Sequence, residues 1–125
     1  MWLMAVLSTG PIENNPVNGT RLTQLVTVRI VNRDPVSSSY LLILGYVLGV
    51  SREFYVIESI EITANGVVSR NYFADLNAFE FLFITDGVGE QNVAVSVWGK
   101  DASGQLVDAH RIVTQEKVAS EDSLE

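Results

Sequence analysis

The chain contains no cysteine, which removes disulfides, thiolate nucleophiles and sulfur-ligated metals. Basic residues are scarce: 8 Lys and Arg stand against 15 Asp and Glu, a formal net charge of −7. Phosphate chains and anionic bilayers are held by clustered cations, so neither nucleic acid nor an anionic membrane surface is expected as a partner. Long apolar runs are also missing. Tyr40 to Val50 reaches 11 residues and contains Gly45 and Gly49, well short of the roughly 20 a membrane helix needs, so no membrane insertion is expected. No window carries the periodicity of an amphipathic helix, and there is neither an internal repeat nor a low-complexity tract.

What remains is a short apolar chain built on alternation. At 125 residues one domain is expected, large enough to bury roughly two-thirds of its unfolded surface. Hydrophobic residues make up 47% and charged residues 18%, so little charge is available to cover the outside and some apolar surface is expected to be buried between copies.

Leu25 to Asn32 alternates, with Val26, Val28 and Ile30 on one face, and stops at the turn Asn32-Arg33-Asp34-Pro35. Ser39 to Gly49 is apolar on both faces, as in a strand covered on both sides. In Arg52 to Thr63, Ile60 and Ile62 point inward; Glu58 falls in the same phase, which predicts a bend or a strand end near Ser59. Asn65-Gly66 is the sharpest hairpin signal, of the type I′ kind. Gly66 to Ala74 returns from it, and Phe79, Phe81 and Phe83 form one row at the expected centre of the core. Val93 to Gly99 and Gln105 to Thr114 flank a longer turn, Lys100 to Gly104.

Seven or eight strands in about 90 residues define an antiparallel β-sandwich, jelly-roll or immunoglobulin-like. The chain divides into residues 1–24, an apolar N-terminal strand with a flexible linker; residues 25–114, the sandwich; and residues 115–125, an acidic tail.

Chemistry-bearing residues are few. His110 shares a strand phase with Asp108, but no serine sits in a nucleophile elbow beside them. Asp86-Gly87 and Asp101-Ala102-Ser103-Gly104 lack the spaced acids of a calcium loop and read as turns. Glu53, Glu58, Glu61, Asp75 and Glu80 read as solvated faces and strand ends rather than a glycosidase pair. Asn18-Gly19-Thr20 matches a glycosylation acceptor and also reads as a turn. Trp98 with Tyr72 is the candidate sugar platform. No enzyme activity, catalytic residue, metal or cofactor is expected.

The N-terminal residues ask for burial. Trp2, Leu3, Met4, Val6 and Leu7 form an apolar segment without the basic flank of a signal peptide, followed by Gly10, Pro11 and Pro16. Burying five such side chains is worth on the order of 8–12 kcal/mol before ordering costs. The segment can fold back as a strand of its own sandwich or add to a neighbouring copy. Neighbour insertion, with Tyr40, Leu42, Leu44 and Tyr46 as the receiving surface, predicts head-to-tail polymerisation.

The stretches VTVRIVNR, YFADLNAFEFLF and VSVWGKDASGQLVDAHRIV resemble small cysteine-free β-sandwich proteins of spore-forming Firmicutes, over roughly Leu25 to Thr114. In architecture the chain is also similar to the jelly-roll subunits of endospore appendages, which polymerise through an N-terminal connector. Those subunits generally staple the connector with cysteines, a route closed to this chain. The resemblance implies an extracellular or spore-surface location and a self-assembling structural subunit, a homo-oligomer or filament. The alternative is a monomeric or small-oligomer module that binds a glycan or surface protein through loops Asp34 to Ser39, Asp86 to Asn92 and Lys100 to Gln105.

Overall fold

Alternating side chains give the chain two-faced strands, and two-faced strands must stack. The structure is a computed structural model that describes residues 4–86, 93–107 and 114–118; residues 4, 5, 86 and 114–118 are described by backbone alone. The strands are β1 (Met4–Ser8), β2 (Ile12–Glu13), β3 (Leu25–Asn32), β4 (Ser39–Leu48), β5 (Arg52–Ile62), β6 (Val67–Phe73), β7 (Ala78–Asp86), β8 (Val93–Lys100), β9 (Leu106–Val107) and β10 (Thr114–Val118). No helix occurs among the described residues.

Two antiparallel sheets result. Sheet one has the order β10-β1-β7-β4-β5, with β2 also paired to β7; sheet two has the order β6-β3-β8-β9. The chain is thus an all-β sandwich, as its alternation predicts. The seven strands from β3 to β9 answer to the segments read from the sequence, while β1, β2 and β10 come from the flanks. The last of the sequence-read segments is described only as Leu106–Val107; residues 108–113, with Asp108 and His110, lie outside the described residues.

The core lies between the sheets. Phe79, Phe81 and Phe83 of β7 are fully buried, with Leu41 and Ile43 of β4 and Ile62 of β5 beside them, against Val26, Val28 and Ile30 of β3 and Val97 of β8. The Phe81 ring lies over Gly45, where an added Cβ would come within 2.9 Å of both that ring and Val56. There the β4–β5 register shifts, because Gly45 faces Val56 while Tyr46 faces Phe54. Tyr55 is the extra residue of this bulge; its ring packs edge-on against Phe81 and its hydroxyl donates to the Phe73 carbonyl.

Three local expectations are corrected. The two-residue turn with both φ values positive is Asn18-Gly19 (52° and 82°), closed by hydrogen bonds between Val17 and Thr20. At the other Asn-Gly pair only Asn65 is positive, and the turn runs from Thr63 to Gly66, where a Cβ would stand 2.7 Å from the Thr63 carbonyl oxygen. That turn makes no hairpin: β5 lies in sheet one and β6 in sheet two, so it carries the chain across the core. A turn sequence fixes a reversal and leaves open which strand the returning chain pairs with. Nor does β5 break at Ser59; it runs unbroken to Ile62 with Glu58 inside, for a reason given by its partners.

The segment after β1 is also built in. Both β1 and β2 lie along β7, joined by the Thr9 amide donating to the Phe81 carbonyl and the Phe81 amide donating to Thr9 Oγ1. Asn14, 3% exposed, then donates to the carbonyls of Thr23, Ala74 and Leu76 and accepts from the Thr23 amide. Where a leash was expected, the chain is pinned at both ends of the exposed Asn15–Thr20 loop. Asn32, fully buried at the opposite end of the sandwich, does the same for the carbonyls of Ser37, Ile62 and Thr63.

Candidate functional site

The strand register decides which side chains share a surface. In sheet one the outward residues fall into cross-strand rows: Ser59, Leu42, Ile84 and Val6 in one, Ile57, Leu44, Leu82 and Ser8 in the next. Tyr40 stands beyond one end next to Glu61, and Phe54 with Arg52 beyond the other. Leu42, Leu44, Leu82, Ile84 and Val6 are half-buried, while Tyr40, Phe54 and Ile57 are 60%, 54% and 67% exposed. A whole aromatic side chain covers roughly 150–250 Å². The exposed parts of the two aromatics alone therefore offer on the order of 200 Å², and the half-buried aliphatic rows join them into one contiguous apolar face.

The nine interface candidates distribute over this frame as follows. Tyr40, Leu42 and Leu44 lie together on the open face. Tyr46 shares it by register but is 6% exposed, covered by the Phe54 ring at 4.6 Å and by the Arg52 guanidinium, 3.7 Å from its ring centroid. Glu80 holds that guanidinium at 3.3 Å. Val6 joins the outer row, whereas Leu7 points inward opposite Phe83 and belongs to the core at 6% exposure. Met4 pairs through its backbone with Asp86 and Val118. Trp2 and Leu3 lie outside the described residues. Strand β4 has β5 on one side and β7 on the other, so it offers a face and no backbone edge.

Where the sandwich opens sideways, between β5 and β6, polar groups close it. Glu58 accepts from the Tyr72 hydroxyl at 2.6 Å and from Arg70 Nε at 2.8 Å. The Tyr72 hydrogen bond first, and Arg70 second, hold the Glu58 carboxyl below its usual range. Burial and the same hydrogen bond push the Tyr72 phenol upward. This explains the inward glutamate: a carboxylate at the rim of the core is tolerated when a cation and a hydroxyl meet it. Sequence reasoning missed the cluster, although Arg70 and Tyr72 share one strand phase. Tyr72 also stacks on Phe81 at 5.5 Å, so it lies on the inner side of sheet two, whereas Trp98 is on the outer side; the two do not form one sugar platform.

Other candidates resolve locally. Asp101 Oδ1 accepts from the Ser103 amide and hydroxyl and from the Gln105 amide, and these bonds depress its pKa, with Gly104 at a φ of 88°. Asp75 meets Arg21 at 3.1 Å, and Glu80 meets Arg52, which places both in single ion pairs. The Asp34–Ser39 and Lys100–Gln105 loops stand at opposite ends of the sandwich, since Asn32 faces Val93 while Leu25 faces Lys100. Residues 87–92 of the third loop lie outside the described residues.

The class this defines is an antiparallel all-β sandwich with one open apolar sheet face. No family model matches the chain, and no curated protein matches it. Among solved structures it is similar to the Anabaena sensory rhodopsin transducer, at 15% identity and a TM-score of 0.51, over 79% of this chain and 91% of that chain. At that identity the likeness concerns the fold alone.

Proposed function

We propose that the protein is a self-associating structural subunit whose copies pack through the outer face of sheet one. The observation that carries the reading is the open apolar surface of Tyr40, Leu42, Leu44, Ile57, Leu82 and Ile84. Left in water, such a face is an aggregation hazard; matched by its own copy, it becomes an interface core.

Its ends differ in charge, with Glu61 beside Tyr40 and Arg52 beside Phe54. Two copies related by a two-fold axis across β4 set each acidic end over the other's basic end. An isologous contact of this kind closes at the dimer.

A second reading, exchange of β1 between copies, is favoured by the position of β1 between β7 and β10, where the same ladder serves a strand from either chain. Exchange has to carry residues 4–14 together, because β2 also lies on β7, and the exposed Asn15–Thr20 loop is its hinge. It produces head-to-tail filaments, as the surface-fibre role implied by the resemblance requires.

Light scattering after size-exclusion, with negative-stain microscopy of the same fractions, separates the outcomes. Face pairing gives a dimer lost in Ile57→Asp; exchange gives filaments that survive that substitution. A monomer at about 100 μM, where even a micromolar contact is populated, overturns both.

A further inference from the structure

The outer face of sheet two carries a depression of about 320 Å³ lined by Thr27, Arg29, Ser96, Trp98, Lys100 and Leu106. The register assembles it: Thr27 faces Trp98 and Arg29 faces Ser96 across the β3–β8 ladder, while Lys100 faces Leu106 on β9. Among the described residues two cations line it and no carboxylate does, in a chain of net charge −7.

Half of the six cations with described side chains are paired, and Arg29 and Lys100 are not, a state they share with the exposed turn residue Arg33. Arg21, Arg52 and Arg70 each hold a carboxylate. Among the described residues Arg29 and Lys100 hold none; Arg29 donates only through Nε, to the neutral Ser69 hydroxyl at 3.3 Å. Its terminal nitrogens remain for a planar carboxylate, which a guanidinium grips with two parallel bonds.

We propose that this depression binds an acidic sugar, a pyranose bearing one carboxylate. Arg29 takes the carboxylate, Lys100 adds a second positive charge, the Trp98 indole packs against the ring's C–H face, and Ser96 reaches its hydroxyls. An indole that shares a shallow site with hydroxyl side chains suits a flat ring with polar edges. Two cations suit one negative charge rather than a phosphate chain. The site lies on the sheet opposite the apolar face, so it stands independently of how copies pair.

The test is Trp98 fluorescence in a Trp2→Phe variant of the full chain, titrated with cellobiouronic acid and with cellobiose, its neutral twin. The acidic disaccharide should change the emission saturably, with half-saturation at about 1 mM or below, a typical strength for a small ligand held by few contacts. Cellobiose should bind about tenfold more weakly or not at all, and Arg29→Gln should remove that difference. Lys100→Gln, at the end of β8, should weaken the acidic sugar by a smaller factor while leaving the urea midpoint in place. Equal binding of the two sugars, no saturation by about 10 mM, or acidic-sugar binding retained in both variants overturns the proposal. Preferential saturation by adenosine monophosphate overturns the sugar assignment.

Discussion

The two sheets turn similar faces inward and different faces outward. Inside, Phe79, Phe81 and Phe83 meet Val26, Val28 and Ile30, and either list fits either sheet. Outside, sheet one shows Leu42, Leu44, Ile57, Leu82 and Ile84, whereas sheet two shows Thr27, Arg29, Ser69, Asn71, Ser96 and Trp98, with the exposed apolar Val67 and Phe73 at the two ends of β6. Folding requires only the inner pair of faces. The apolar outer face is not needed to close the core between the sheets, and this contrast is what the proposed association on one face and the proposed ligand contact on the other rest on.

Four perturbations probe that contrast, from large to small. Phe81→Ala removes the ring that Tyr55, Tyr72, Phe79 and Phe83 all touch, and should cost about 3–5 kcal/mol in urea unfolding, weakening both outer faces together. Ile57→Asp should leave the urea midpoint of the monomer unchanged, because the residue is 67% exposed. In sedimentation experiments it should raise the dimer dissociation constant about a hundredfold, since a charge is then buried against an apolar partner face.

Asn32→Ala strips three carbonyls, the buried one of Ile62 and the part-buried ones of Ser37 and Thr63, of their donor at the crossovers between sheets and should cost about 1–3 kcal/mol, with dimerisation of the folded fraction intact. The smallest effect is pH-dependent. Glu58 has its carboxyl pKa lowered from 4.5 in the fold, so its contribution is complete above that value and disappears as pH falls through the folded pKa. Glu58→Gln should therefore flatten the acid limb of the stability profile, by about 1 kcal/mol or less for so exposed a pair, and leave both outer faces unaffected.

The fold was legible because burial imposes period two, and a run such as Val26, Val28, Ile30 states its own face. The phenylalanine row was legible for the same reason. Pairing partners were not, since Asn65-Gly66 specifies a turn and cannot specify that β6 joins β3 in the other sheet. Asn14 and Asn32 looked like loop residues; their roles depend on carbonyls up to 62 residues away in sequence. Tyr40, Leu42 and Leu44 could be placed on a common face, but Tyr46 could not be seen to be covered, because its cover comes from a bulge that sets Phe54 and Arg52 over it. The Arg29–Trp98–Lys100 depression was illegible for a simpler reason: its residues lie on strands brought together only by the β3–β8 and β8–β9 ladders.

Sedimentation velocity on the full chain across a concentration series, beside Ile57→Asp, measures the association directly. The wild-type chain should show a reversible monomer–dimer equilibrium that collapses to monomer in the variant while the circular dichroism spectrum stays the same. A wild-type chain that remains monomeric throughout, or a variant that still dimerises with undiminished affinity, would contradict it.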